Sequence, residues 1–90
     1  MGISKWFKNL INRKNVLYSS AICSDCQQAE AFFDQHDIEI EIKKIEESQY
    51  REELEQKHGK VLVPTIILGN DKFIGFANNK EEIERKLGLS

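Results

Sequence analysis

The chain is best interpreted outward from residues 16–26, which read Val16-Leu17-Tyr18-Ser19-Ser20-Ala21-Ile22-Cys23-Ser24-Asp25-Cys26. This segment passes from a short apolar run, typical of a buried strand, through a small polar loop to two cysteines three residues apart. Beyond the cysteines, Ala29, Phe32 and Phe33 recur at helical spacing and predict a helix from Ser24 to about His36. The cysteine pair is therefore expected at the beginning of a helix that closely follows a strand.

The pair, Cys23 and Cys26, contains the only cysteines of the chain, and its spacing allows a small disulfide ring to close and open. Backbone N–H groups and the helix dipole favour a thiolate at a helix N-terminus, and the thiolate is the species that attacks disulfides. Cys23 lies nearer the helix start, so we predict that Cys23 attacks a disulfide and that Cys26 resolves the mixed disulfide. Ser24 is a candidate hydrogen-bond donor to the thiolate, whereas Asp25 places a negative charge beside both sulfurs and is expected to oppose ionisation.

Two other interpretations of the cysteine pair compete with this one. The cysteines could be small buried core residues, or they could be half of a structural zinc site. A structural zinc ion takes four ligands, usually as two pairs, and the only histidines, His36 and His58, lie at no zinc-finger spacing. We therefore expect no metal site, and we place both histidines near helix C-termini, where a partial positive charge is favourable.

The segment after the first helix alternates apolar and charged residues. Ile38, Ile40 and Ile42 recur at period two, which predicts a strand with one buried face. Ser48 is predicted to cap the next helix, and Gly59 to end it.

The last third of the chain is predicted to contain a hairpin and a final helix. Residues 65–68 and 72–74 are predicted strands, and Gly69-Asn70-Asp71 supplies the turn between them. Asn78 or Asn79 is expected to cap a helix that ends at Gly88. The order β-α-β-α-β-β-α predicts an α/β domain with a four-stranded mixed sheet, in which a right-handed crossover gives one parallel pair and helices cover both faces.

Length and composition limit the class of protein. A chain of 90 residues, of which 40% are hydrophobic and 31% charged, corresponds to one globular domain. No apolar run approaches the roughly 18 residues that span a membrane, and the apolar core of a signal peptide is missing, so a cytoplasmic location is expected. Nucleic-acid binding is not expected, because the net charge is −2 and all 15 acidic residues fall within residues 16–90.

Residues 1–14 are predicted to form a separate N-terminal segment before a domain over residues 15–90. The segment carries only basic charges, and its apolar residues recur at the spacing of one helix face: Ile3, Trp6, Phe7, Leu10 and Ile11. A basic amphipathic helix over residues 3–11 suits an anionic membrane or a partner protein. The preferred interpretation is that its apolar face packs on the chain's own domain or on a second subunit.

Residues 15–89 resemble the glutaredoxin family, which has the thioredoxin-like fold. Besides the cysteine pair, the resemblance rests on three segments at matching separations: Val16-Leu17-Tyr18-Ser19, Val63-Pro64-Thr65 and Gly75-Phe76. It implies that Pro64 is cis and lies against the active-site cysteines. It also implies a set of substrate-contacting residues between and around the cysteines, namely Ser24, Asp25, Val63, Pro64, Gly75, Phe76 and Asn78.

Several positions depart from the family pattern, and they bear on the substrate. Ser24-Asp25 stands where glutaredoxins usually carry Pro-Tyr, Ser20 replaces a usual lysine, Val61-Leu62 replaces Arg-Thr, and Asn78-Asn79 replaces two aspartates. In the family the lysine, arginine and aspartates hold the charged ends of glutathione. Glutathione is expected to bind weakly here, since each lost charge-assisted hydrogen bond costs roughly 1.5–3 kcal/mol. Gly75-Phe76 is more similar to the glutaredoxin-like hydrogen donors of ribonucleotide reductase, which thioredoxin reductase reduces.

The resemblance implies an enzyme, a dithiol–disulfide oxidoreductase that reduces protein or small-molecule disulfides. It implies no tightly bound cofactor, and glutathione or another low-molecular-weight thiol as the reductant. The implied partners are a disulfide substrate protein, with thioredoxin reductase or ribonucleotide reductase as further candidates. Two alternatives use the same fold without turnover. One is a redox sensor that regulates a partner through its disulfide state, and the other is a non-catalytic binding module that recruits a partner or a membrane through the N-terminal helix.

Overall fold

The structure, a computed structural model, describes residues 15–89. Its elements follow in the order β1 (Asn15–Ser19), α1 (Ser24–Gln35), β2 (Glu41–Lys44), α2 (Ser48–His58), β3 (Thr65–Leu68), β4 (Asp71–Ile74), a 3-10 helix (Ala77–Asn79) and α3 (Lys80–Leu87). The sheet has the strand order β2-β1-β3-β4, in which β1 and β2 are parallel and the other neighbours antiparallel. The predicted four-stranded mixed sheet is thereby confirmed. The predicted helix over residues 3–11 lies outside the described residues.

Successive side chains of β1 point to opposite faces of the sheet, and helices cover both faces. Leu17 packs into one core with Phe33 of α1, and this core also includes Ile83 of α3. Val16 and Tyr18 pack into a second core with Leu54 of α2. The two cores hold α1 and α2 on opposite sides of the central strand. The N-terminus of α1 is thus fixed near the carboxyl end of β1.

A polar contact ties α2 to the edge of the sheet. The Tyr18 hydroxyl donates a hydrogen bond to the Glu53 carboxylate, and Lys43 of β2 forms an ion pair with the same carboxylate at 2.6 Å. Burial raises the pKa of Tyr18, and the contact with Glu53 raises it further. Although burial opposes the change, the hydrogen bonds from Lys43 and Tyr18 lower the pKa of Glu53. The contact therefore stabilises the ionised form of Glu53 and the neutral form of Tyr18.

The helix ends and the hairpin follow the sequence pattern closely. Gly59 and Gly88 end α2 and α3 with φ angles of 85° and 75°, a left-handed conformation that glycine adopts most easily. The hairpin of β3 and β4 turns at residues 69–70 and pairs Thr65 with Ile74. Both predictions are confirmed, with β4 starting one residue earlier than expected.

The strand predicted from Ile38, Ile40 and Ile42 is shorter and later in the chain than expected. Asp37 has a φ angle of 54°, and the Ile38 N–H still bonds to the Phe33 carbonyl at 2.9 Å. These contacts extend the C-terminal turn of α1 through Ile38, so the strand β2 begins to pair with β1 only at Glu41. Ile38 and Ile40 pack against the α1 core as part of the connection, and Ile42 is 40% exposed on the edge strand.

The two predicted helix caps differ from the structure in their hydrogen bonds. Ser48 is the first residue of α2, whereas Glu47 occupies the N-cap position and makes no side-chain cap bond. Asn79 does occupy the N-cap position of α3, but its amide donates to the carbonyls of Ile74 and Gly75 at 2.9 and 2.8 Å. The Asn79 side chain therefore fixes the turn after β4 instead of the helix.

Candidate active site

Cys23 lies at the N-cap of α1, where the chain passes from an extended loop into the helix. Its backbone is extended, and its Sγ accepts the N–H of Cys26 at 3.2 Å. The side chain is partly exposed and faces the carbonyl of Val63, which lies 4.0 Å from the sulfur. A backbone N–H and the positive end of the helix dipole both favour negative charge on such a sulfur.

Cys26 lies one turn inside α1 and is fully buried. Burial raises the pKa of the Cys26 thiol, and its hydrogen bond with Cys23 raises it further. Both cysteines are free thiols in this structure. An incoming disulfide can reach Cys23 from solvent but cannot reach Cys26, an arrangement that suits attack by the first cysteine and resolution by the second.

The loop before β3 faces Cys23 and is held in place by a buried proline and by a hydrogen bond from Thr65. The Val63–Pro64 peptide bond is cis, as the resemblance implied, and Pro64 is fully buried. The Thr65 hydroxyl donates to the Leu62 carbonyl at 2.6 Å, a contact that sequence reasoning did not predict. Because the Val63 carbonyl faces the Cys23 sulfur, any group attached to that sulfur lies beside the backbone of Val63.

Asp25 contacts a segment that lies 51 residues further along the chain. Its two carboxylate oxygens accept the N–H groups of Phe76 and Ala77 at 2.8 and 3.1 Å. The Gly75 N–H bonds to the Pro64 carbonyl at 2.8 Å. The cysteine segment, the Val63–Pro64 loop and the turn after β4 are therefore brought together. The sequence led us to expect that the Asp25 charge would oppose ionisation of the sulfurs, and it did not predict that both carboxylate oxygens would be engaged by backbone donors.

Three of the predicted substrate contacts, Phe76, Ser24 and Asn78, have side chains that take no part in the contacts between the three segments. The Phe76 ring packs in the core against Phe32 and Phe33, so only its backbone lies at the site. Ser24 and Asn78 are exposed, and within residues 15–89 neither side chain makes a hydrogen bond. The expected bond from Ser24 to the Cys23 sulfur is not formed, and the Cys26 N–H donates to that sulfur instead.

Glu46 is a site residue that the sequence did not reveal. Its carboxylate accepts the Ser20 hydroxyl at 2.7 Å and the Ala21 N–H at 3.0 Å. The hydrogen bond from Ser20 is the largest cause that lowers the pKa of Glu46. One signal could have identified it: β1 and β2 are parallel, so residues that follow the two strands meet at the same edge of the sheet.

Comparison with protein families agrees with this geometry. The family model described as Glutaredoxin matches residues 15–74, a range that contains both cysteines and the Val63–Pro64 bond. No curated protein sequence matches the chain significantly.

Solved structures share the fold at low sequence identity. The glutaredoxin grx-1 from Archaeoglobus fulgidus matches with a TM-score of 0.69 at 17% identity, covering 91% of this chain and 91% of that one. The dithiolic glutaredoxin 2-C-Grx1 from Trypanosoma brucei brucei gives 0.62 at 22% identity, with 91% and 87% covered. A buckwheat glutaredoxin–glutathione complex gives 0.61 at 18% identity, with 98% and 84% covered. These similarities establish the thioredoxin-like fold.

Proposed function

This chain belongs to the glutaredoxin family, and from that membership we propose that it reduces protein disulfides through Cys23 and Cys26. Glutaredoxins are thiol–disulfide oxidoreductases that use glutathione as a reductant. The observation that carries the proposal is the unequal exposure of the two thiols. Cys23 is accessible at the N-terminus of α1, and Cys26 is buried one turn further along the helix.

The proposed reaction consists of two exchanges. The Cys23 thiolate attacks one sulfur of the substrate disulfide, and the other substrate sulfur leaves as a thiolate that takes up a proton. Cys26 then loses its proton and attacks the Cys23 sulfur, which forms the Cys23–Cys26 disulfide and releases the second substrate sulfur as a thiol. The substrate gains two electrons and the protein loses two. A low-molecular-weight thiol or thioredoxin reductase returns them.

Exposed apolar side chains beside Cys23 support a protein as the substrate. Ile22, which directly precedes Cys23, is 93% exposed, and Leu62, which directly precedes Val63, is 43% exposed. Both residues neighbour the contact between the Cys23 sulfur and the Val63 carbonyl in sequence, so we expect a substrate on that sulfur to cover them. Covering a side chain such as isoleucine is worth roughly 1.5–3 kcal/mol when burial is complete. A polypeptide segment with apolar residues next to its disulfide would gain this contribution, whereas a small hydrophilic disulfide would not.

The backbone of Val63 and the exposed edge residues complete the proposed substrate surface. An extended segment of substrate can pair with the Val63 backbone as a short strand, since the 62–64 loop is fixed by the Thr65 hydroxyl. Ser24 and Asn78 stay in the proposal as polar contacts at the edge of this surface.

The setting of the reaction stays a prediction. We predict a cytoplasmic protein that can draw electrons from thioredoxin reductase, as the glutaredoxin-like hydrogen donors of ribonucleotide reductase do. Among residues 15–89, no helix has the length and apolar character needed to cross a membrane.

Turnover of a disulfide substrate tests the proposal. We expect the protein to reduce a peptide disulfide repeatedly when NADPH is supplied through thioredoxin reductase, or through glutathione and glutathione reductase. NADPH consumption that rises in proportion to protein concentration would support an enzyme. If the protein completes no turnover with thioredoxin reductase, with glutathione and glutathione reductase, or with dithiothreitol as the reductant, catalysis would be excluded. Partner binding that differs between the oxidised and reduced protein would then point to the sensor alternative.

A further inference from the structure

Asp25 is the acidic residue between the two cysteines, and its contacts bear on which thiols the site accepts. Both carboxylate oxygens are engaged by backbone donors, the N–H groups of Phe76 and Ala77. Two converging N–H groups suit a carboxylate, and here the chain supplies the carboxylate itself. We propose that Asp25 is a specificity-determining residue, which keeps these donors occupied and thereby denies them to thiols that carry a carboxylate. This inference rests on the proposed function and specifies its reductant.

The occupied donors belong to a turn that is linked to the reacting sulfur through the Val63–Pro64 loop. The Cys23 sulfur faces the Val63 carbonyl at 4.0 Å, and the next residue, Pro64, accepts the N–H of Gly75 at 2.8 Å. Phe76 follows Gly75 directly. Asp25 is two residues from Cys23 and its side chain reaches both N–H groups, so we expect a thiol that attacks the Cys23 sulfur to approach them.

The donor pair is held in place without Asp25. The Phe76 ring is anchored in the core, and the Gly75 N–H is bonded to Pro64. The Asn79 amide donates to the carbonyls of Ile74 and Gly75. Removing the Asp25 carboxylate should therefore free two N–H groups that keep their orientation, instead of releasing the whole turn.

A second carboxylate adds to the same effect. Glu46 engages the Ser20 hydroxyl and the Ala21 N–H, which lie three and two residues before Cys23. In residues 15–89, neither Asp25 nor Glu46 forms an ion pair with a lysine or arginine. An anionic thiol thus meets two carboxylates that are not in direct ion pairs, although Lys44 lies near enough to Glu46 to favour its charge, and like charges disfavour the approach of the thiol.

The affected step is reduction of the Cys23–Cys26 disulfide by glutathione, a thiol with two carboxylates. A glutathione thiolate attacks the Cys23 sulfur, the bond between the two cysteines breaks, and Cys26 leaves and takes up a proton. A second glutathione thiolate attacks the glutathione sulfur of the mixed disulfide, which yields glutathione disulfide and the Cys23 thiolate. Two glutathione molecules lose one electron each, and the protein gains two.

The experiment compares three thiols as reductants of the oxidised protein: glutathione, its dimethyl ester with both carboxylates blocked, and dithiothreitol. Each rate constant is divided by that of the same thiol with 2-hydroxyethyl disulfide, which corrects for intrinsic reactivity. For the wild-type protein we expect glutathione to be no faster than its ester. In Asp25→Ala the normalised glutathione rate should rise about tenfold or more, the gain from one charge-assisted hydrogen bond. The ester and dithiothreitol rates should change less than the glutathione rate, so that the glutathione-to-dithiothreitol ratio increases.

Two further variants test whether the effect of Asp25 comes from occupying the two N–H groups, from its negative charge alone, or from a general structural role. Asp25→Asn keeps one acceptor oxygen for one N–H, so its glutathione rate should rise less than that of Asp25→Ala. Asp34→Ala removes the same charge from an exposed position of α1 and should leave the glutathione-to-dithiothreitol ratio unchanged.

The outcomes distinguish this inference from the proposed function. A wild-type protein that reacts faster with glutathione than with the ester would overturn the inference, as would an Asp25→Ala ratio equal to that of wild type. Equal acceleration by all three thiols in Asp25→Ala would also overturn it, because a merely structural role affects every thiol alike. Failure of dithiothreitol to restore disulfide-reducing activity would instead count against the proposed function.

Discussion

Replacing Cys23 with serine is expected to abolish disulfide reduction, whereas replacing Cys26 with serine should lower turnover without abolishing it. A serine hydroxyl does not ionise near neutral pH and cannot take the place of the attacking thiolate. The loss should be roughly 1,000-fold or more, as it is when a nucleophile is removed from other enzymes with a covalent intermediate. Cys26→Ser keeps the exposed thiol, and an external thiol can still resolve the mixed disulfide.

The measurement is NADPH-coupled turnover of a peptide disulfide by the three proteins at equal concentration. Circular dichroism serves as the control for folding, because each substitution changes one sulfur to oxygen and should leave the helix content intact. Equal residual activity in the two variants would contradict the assigned order of attack and resolution.

Replacing Ile66 with alanine is expected to destabilise the protein by about 2–5 kcal/mol, a large part of the about 5–15 kcal/mol that a domain of this size has available. Ile66 is fully buried in the central part of the sheet, in the core that includes Leu17 and Phe33. The substitution removes its contacts and leaves a cavity between β3 and the helices on that face.

Ile22→Ala is the matched control, because it removes the same atoms from a side chain that is 93% exposed. Its effect on the free energy of unfolding should stay within about 0.5 kcal/mol. Urea unfolding should show a lower midpoint with an unchanged slope for Ile66→Ala only. If Ile66→Ala does not fold, Ile66→Val should still cost about 0.5–1.5 kcal/mol. Equal midpoints for the two alanine variants would contradict the assignment of Ile66 to the core.

Features that depend on neighbouring residues could be predicted from the sequence. The β3–β4 hairpin follows from Gly69-Asn70 between two apolar runs, and the end of α2 follows from Gly59. The place of Cys23 at the beginning of α1 follows from the helical stripe that begins after it. In each case the determining interaction lies within one turn of chain.

Features that depend on distant contacts could not be predicted in the same way. Asp25 lies between the two cysteines in sequence, but its partners, Phe76 and Ala77, are more than 50 residues away and use backbone groups. Glu46 likewise bonds across from the end of β2 to the end of β1. The alternating isoleucines predict a strand that begins earlier than the observed one, because the C-terminal turn of α1 continues through Ile38. Periodicity carries no information about where such a turn stops.

Formation of single-thiol adducts tests directly whether the exposed Cys23 attacks the substrate and the buried Cys26 resolves the mixed disulfide. Each variant, Cys26→Ser and Cys23→Ser, is mixed with the same oxidised peptide, and the mixed disulfide is followed by intact mass. We predict rapid adduct formation by Cys26→Ser and formation by Cys23→Ser that is slower by more than about tenfold, since each unit of raised pKa lowers the thiolate fraction about tenfold. Adducts that form at equal rates, or faster on Cys26, would contradict the assignment of Cys23 as the attacking thiol.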